Sequence, residues 1–181
     1  MTVMGLDLSL TSTGVCVDNK TLTVHSLAIG TRRLADIRGL VMEIVRDYGV
    51  DVVAIEGYSY ASVHSRAHSI GELGGVIRVA LYDENIPVVT IPPKSRAKFA
   101  TGKGNANKEE VMSAITALTG LSWLGKNGND RCDAWVLREM TLAYWDLSPY
   151  SWTSEQLSAL DKCDFSAIPA STRSTKKDKD E

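Results

Sequence analysis

The sequence lacks several features that would assign the protein to common classes. Its 181 residues contain only three cysteines, widely spaced and odd in number, which excludes a disulfide framework and a zinc knuckle. No apolar run approaches the roughly 18 residues that a membrane helix needs. The N-terminus has no basic region followed by an apolar stretch. We therefore expect a soluble protein of a reducing cytoplasm, with no membrane association.

Strong net charge is also absent. The formal net charge is −2 and the pI is near 5.9, so any nucleic-acid site must come from local clustering of charge. The hydrophobic content of 44% is enough for one well-buried core, and the chain is too short for two full domains. Residues 170–181 have no apolar anchors, and we expect them to form a disordered charged tail.

The hydrophobic pattern predicts an α/β fold. An apolar run around Asp7 and a short strand after a turn-rich segment predict a hairpin, which a third, alternating strand extends. Helical and strand patterns then alternate, as in a parallel arrangement. The predicted strands after the first cover residues 15–17, 21–27, 52–56 and 86–91, and the longer helices cover residues 31–49, 66–85, 109–119 and 130–145.

Four acids stand out by their positions: Asp7, Glu56, Asp130 and Asp133. Asp7 interrupts an apolar strand, Glu56 ends a second one, and the other two open the last helix, on one face because they are three residues apart. If the two strands are neighbours, all four carboxylates can meet and would need cations. Hard divalent ions with oxygen ligands fit, and two such ions about 4 Å apart would form a phosphodiester hydrolysis site.

Each acid also has a simpler explanation. Asp130 could be an ordinary helix cap, and Asp133 an acid favoured by the helix dipole. Glu56 could be a strand-end acid paired with an arginine or lysine. Asp7 could be a solvated or turn-capping residue. The pattern alone leaves these alternatives open.

A basic stretch supplies candidate DNA contacts. It contains five basic residues and no acids between residues 85 and 108, embedded among glycines that suit phosphate contacts. Two tyrosines beside Glu56 could stack on bases, and a nearby arginine adds a polar group. A solvated charged face and half-buried loop tyrosines are the alternatives. The candidate DNA contacts are Lys94, Arg96, Lys98, Lys103, Lys108, Tyr58, Tyr60 and Arg66.

Four motifs resemble one known family. MGLDLSLTSTG, VAIEGYSY, GKGNANKEEV and NDRCDAW occur in the order seen in RuvC-like Holliday junction resolvases, of the RNase H-like (retroviral integrase) superfamily. The likeness covers residues 3–145, and the near-neutral charge resembles the phage-encoded branch. It implies a mixed five-stranded sheet, an antiparallel meander plus parallel strands, flanked by helices. The implied domains are a nuclease domain at 1–147 and a C-terminal extension at 148–169.

The resemblance also implies roles for residues. Carried over by motif, the four acids would bind Mg²⁺ or Mn²⁺, two ions per site. Lys108 matches the family's lysine near the scissile phosphate, and Lys98 matches an upstream lysine with a spacing one residue short. Tyr58 or Tyr60 would fill the position of an aromatic side chain that wedges into DNA.

The implied activity is metal-dependent cleavage of two opposed strands of a four-way junction, leaving 5′-phosphate and 3′-hydroxyl ends. Flaps and forks are further possible substrates. Such enzymes are homodimers, here through the 66–85 helix, in the cytoplasm of a bacterial or phage-infected cell. The alternatives are a non-catalytic junction-binding module of the same fold and an actin-like ATPase, which needs two such domains.

Overall fold

A five-stranded mixed sheet forms the centre of the protein. The structure, a computed structural model, describes residues 1–57 and 65–168. The strands lie in the order β3-β2-β1-β4-β5. The first three form an antiparallel meander, and β4 and β5 extend it in parallel with β1. This arrangement confirms the predicted fold. The strands are β1 Val3–Asp7, β2 Thr13–Val17, β3 Lys20–Val24, β4 Val52–Glu56 and β5 Val88–Ile91.

Helices cover both faces of the sheet. None of those in the described residues is long and apolar enough to cross a membrane. The predicted helices are present, with ends shifted by up to two residues, and two short elements follow them near the C-terminus. The helices are α1 Gly30–Asp47, α2 Ser65–Asp83, α3 Pro93–Thr101, α4 Lys108–Thr119, α5 Gly128–Tyr144 and α6 Ser154–Leu157, with a 3-10 helix at Ser158–Lys162.

Alternation along the strands produces two hydrophobic cores. In β1, Met4 and Leu6 pack with residues of α1 and α2 on one face of the sheet, whereas Val3 belongs to the core beneath α3, α4 and α5. Because successive strand residues point to opposite faces, Asp7 shares the face of Val3. The same alternation in β4 places Glu56 on the face of Ala54, which also packs in the α5 core. Both acids therefore face the same layer of helices.

Two glycines let α5 approach the sheet very closely. A Cβ atom on Gly5 would lie 2.0 Å from the carbonyl oxygen of Ala134, and one on Gly14 would lie 2.0 Å from the carbonyl oxygen of Asp130. No side chain fits at either position, so the helix backbone rests directly on β1 and β2. Gly14 is also the cross-strand partner of Asp7. This contact therefore sets the start of α5 beside the end of β1.

Candidate active site

The four acids converge at one edge of the sheet. Leu6 of β1 pairs with Ile55 of β4 in parallel register, so the next residues, Asp7 and Glu56, end neighbouring strands side by side. Asp130 lies in the first turn of α5, and Asp133 follows one turn later. The charges of Glu56, Asp133 and Asp130 all act on Asp7. Three separate segments of the chain thus bring their carboxylates to the same edge of the sheet.

Burial and mutual repulsion affect the protonation of these acids. The pKa of Asp7 is raised well above its ordinary value, first by burial and then by the charges of Glu56 and Asp133. Burial also raises the pKa of Asp133 to about 6, although the charge of Arg96 opposes this shift. A group of buried carboxylates that repel one another favours binding a cation. Keeping all of these carboxylates ionised without a cation is costly in free energy.

Arg96 supplies one such cation from within the protein. Its Nε donates to Glu56 Oε2 at 2.5 Å, and its Nη1 donates to Asp133 Oδ1. The Arg96 side chain is only 11% exposed. Burial alone would lower the pKa of Arg96, but the charges of Glu56, Asp133 and Asp7 outweigh it and raise the pKa above its ordinary value. The structure thus differs from the expectation that Arg96 reaches DNA phosphates, because its guanidinium is bound inside the acid cluster.

The donor set fits a hard divalent cation in its chemistry. All four side chains offer carboxylate oxygens, the ligands that Mg²⁺ and Mn²⁺ prefer. In the present arrangement, however, no three acidic, imidazole or thiol groups within residues 1–57 and 65–168 converge closely enough to hold an ion. Two of the four carboxylates bind Arg96 instead. The carboxylate ligands that a divalent cation needs are present, but two of them are arranged as ion pairs with Arg96.

Lys108, in the basic stretch between residues 85 and 108, is exposed and acts electrostatically on the acid cluster. It is the first residue of α4, and its charge lowers the pKa of Asp133 against the larger effect of burial. The helix start is fixed by a reciprocal cap, in which Asn107 accepts from the Glu110 backbone and Glu110 accepts from the Asn107 backbone. The lysine is therefore held at the border between the acids and solvent.

The other candidate DNA contacts occupy different environments. Lys94 and Lys103 are exposed. Lys98 is half-buried, and its Nζ lies 2.7 Å from Glu155 Oε1. Two further candidates, Tyr58 and Tyr60, lie outside the residues that the structure describes. The same holds for the side chain of Arg66, whose backbone belongs to α2.

The C-terminal segment braces α3, a contact that the sequence interpretation missed. The rings of Phe99 and Trp152 lie 4.1 Å apart between centroids, and Gln156 donates to the Ala100 carbonyl at 3.4 Å. A capping box between Thr153 and Gln156 starts α6. The spacing Thr-x-x-Gln is a recognisable sequence signal for a helix start, and could have revealed this element. The helix that carries Arg96 is therefore held in place by the C-terminal segment.

The sheet order, with acids ending the adjacent strands β1 and β4, defines an RNase H-like protein. The model of the family described as "Crossover junction endodeoxyribonuclease RuvC" matches residues 3–137. The chain belongs to this family, as its motifs predicted.

Individual relatives agree with this assignment. The RuvC of Natranaerobius thermophilus is 25% identical over 145 residues, covering 74% of this chain and 89% of the relative. The RuvC of Corynebacterium efficiens is 31% identical over 151 residues, covering 75% of this chain and 66% of the relative. Among solved structures, Thermus thermophilus RuvC in complex with a Holliday junction substrate has a TM-score of 0.65 at 24% identity, covering 81% of this chain and 95% of that one. At that identity, the structural likeness supports the fold.

Proposed function

We propose that the protein is an endonuclease that resolves four-way DNA junctions by metal-dependent hydrolysis, leaving 5′-phosphate and 3′-hydroxyl ends. The convergence of Asp7, Glu56, Asp130 and Asp133 at one edge of a sheet with the RuvC family's fold carries this proposal. A structural neighbour was solved with a Holliday junction substrate, which supports the choice of substrate. Flaps and forks are further candidate substrates, and the bacterial or phage-infected cytoplasm is the proposed compartment.

The four acids would hold Mg²⁺ or Mn²⁺, two ions per site. A divalent ion would supply charge stabilisation and a water activated for in-line attack on the phosphate. Lys108, exposed beside Asp133, would bind the scissile phosphate. Lys94 and Lys103, both exposed, would contact the DNA backbone and fix its register without reading its sequence.

A homodimer would place two such sites opposite two strands, and α2 offers the surface for it. Val79 is 61% exposed and Tyr82 is 81% exposed. Val79 lies four residues after Gly75, and Tyr82 lies three residues after Val79. These spacings place all three on one helical face. A Cβ atom on Gly75 would meet nothing within 4 Å in the described part of the chain, which leaves room for a second copy's helix.

Cleavage of synthetic junctions by an Asp7→Asn variant tests the function. We expect Asp7→Asn to bind a four-way junction and to lose Mg²⁺-dependent nicking, because the amide cannot supply the carboxylate's charge. Asp47→Asn, at the exposed C-terminal end of α1, is the matched control and should cleave normally. Mapping the cuts on each strand of four-way, flap, fork and linear DNAs would define the substrate. Wild-type cleavage by Asp7→Asn would refute the assignment, and binding without cleavage by the wild-type protein would favour the junction-binding module.

A further inference from the structure

The guanidinium of Arg96 lies between two of the four carboxylates proposed as cation ligands. It bridges Glu56 and Asp133, which come from a strand and a helix far apart in the sequence. The three side chains are shielded from solvent, with 11%, 19% and 4% exposure for Arg96, Glu56 and Asp133. Such charge-assisted hydrogen bonds are stronger than neutral ones, and low exposure reduces screening. The bridge is a defined feature of the site rather than a surface ion pair.

The backbone of α3 directs Arg96 inward. Phe99 and Ala100 are buried, and they lie three and four residues after Arg96, on the same helical face. Lys94 and Lys98 are four residues apart and more exposed. Because Trp152 packs on Phe99 from the C-terminal segment, the helix is fixed with this face inward. The arginine therefore reaches the acids as a consequence of how α3 packs.

The bridged arrangement and a cation-bound arrangement exclude each other. While Arg96 holds Glu56 and Asp133, no three ligand-type groups in the described residues converge on one point. A divalent cation placed among these carboxylates would also be repelled by the guanidinium at short range. Conversely, four acids at one edge of the sheet would repel one another without any cation, and Asp7 and Glu56 end neighbouring strands side by side. One positive group has to occupy the cluster, and Arg96 is available for this.

We propose that Arg96 is a built-in counter-ion, which holds Glu56 and Asp133 when no divalent cation is bound and competes with the cation for them. This proposal rests on the proposed metal-dependent function. Arg96 is thus a positioning residue that acts through the two acids. It keeps the site folded without metal, and it lowers the affinity for metal, because two charge-assisted hydrogen bonds must break when the cation binds.

Calorimetric titration of Mn²⁺ into metal-free protein, without DNA, tests the competition. We expect Arg96→Gln to bind Mn²⁺ on the order of tenfold or more tightly than the wild type, since the competing charge is gone. Arg96→Lys keeps the charge but loses the planar fork that binds both acids, so its Mn²⁺ affinity should lie between those of the wild type and Arg96→Gln. Arg46→Gln is the matched control, because it breaks an arginine–glutamate pair with Glu84 on the exposed surface and should leave the affinity unchanged.

Thermal unfolding gives a second readout. In EDTA, Arg96→Gln should melt below the wild type, because the acids lose their counter-ion, and saturating Mn²⁺ should remove most of the difference. Equal or weaker Mn²⁺ binding by Arg96→Gln would overturn the proposal, since it would make Arg96 an organiser of the ligands rather than their competitor.

A measurement on the wild-type protein covers the case in which Arg96→Gln fails to fold. In an NMR titration with diamagnetic Mg²⁺, the Nε–H resonance of Arg96 should shift. The midpoint of this shift should match the midpoint of metal binding. An unchanged resonance at saturation would overturn the proposal. If the wild type cleaves junctions with Mg²⁺ but fails this test, only the counter-ion role is refuted. If it binds no divalent cation and cleaves nothing, the proposed function fails as well.

Discussion

Gly14→Ala should disrupt the candidate site without touching any of its functional groups. The added Cβ atom would lie 2.0 Å from the carbonyl oxygen of Asp130 and 2.5 Å from its carbonyl carbon. Ordinary contact begins at 3.4 Å, so the start of α5 would have to retreat by about 1.4 Å, the difference from 2.0 Å. Both contacting atoms belong to the helix backbone and cannot rotate away. The substitution therefore moves Asp130 relative to Asp7, the cross-strand partner of Gly14.

The expected loss has two parts. Overpacking of this kind costs about 1–3 kcal/mol of the free energy of unfolding. A displacement of about 1 Å at a catalytic centre can reduce the rate about 100-fold, and we expect single-turnover junction cleavage to fall by that order. Denaturant unfolding and cleavage at saturating protein and Mg²⁺ measure the two effects separately.

Gly39→Ala provides the control. Gly39 lies on the exposed side of α1, where an added Cβ atom would meet nothing within 4 Å. Its replacement should raise the free energy of unfolding by about 0.5–1 kcal/mol, because alanine favours a helix, and should leave cleavage unchanged. If Gly14→Ala is as stable as the wild type and cleaves at its rate, α5 does not depend on this contact. If stability falls but cleavage persists, the contact does not position the acids.

Two further substitutions test the assembly and the brace. Val79→Glu places a charge on the exposed face of α2 and should convert the proposed dimer to a monomer, as measured by light scattering. Junction cleavage should be lost, and the melting temperature should be retained. A monomeric wild-type protein would contradict the proposed dimer. Trp152→Ala removes the ring that packs on Phe99. It should lower the free energy of unfolding by about 3 kcal/mol, the lower end for a Trp→Ala change, because Trp152 is half-buried. The cleavage rate should fall as well, whereas Trp152→Phe should retain most of both stability and activity. Normal cleavage by a stably folded Trp152→Ala would show that α3 does not need this contact.

The sequence predicted the parts of the fold that depend on local periodicity. The apolar runs of β1 and β4 identified two buried strands, and the acid that ends each run marked the sheet edge where both lie. Strand order follows from the family motifs rather than from periodicity, since pairing is a long-range property. The close approach of α5 to the sheet depends on Gly5 and Gly14. In the sequence these two glycines look like ordinary turn glycines, and only the structure shows that a helix packs on them.

The C-terminal segment was harder to predict because its partners are distant. Nothing near Trp152 in the sequence indicates that its ring meets Phe99, and the helix after it is only four residues long. Its capping box was a local signal, but a cap does not show what the helix packs against. The brace on α3 therefore emerges only in three dimensions.

Arg96 shows why residue type alone did not define the site. Counted with its neighbours, it belonged to a basic run suited to phosphate contacts, whereas helical spacing places it with buried Phe99 and Ala100. The simpler explanation of Glu56, a strand-end acid paired with an arginine, is also met in this structure. That pairing does not oppose a metal site, because an acid cluster must be neutralised in every state in which the protein is folded. If Arg96 and a divalent cation alternate in that role, the two explanations describe two states of one site.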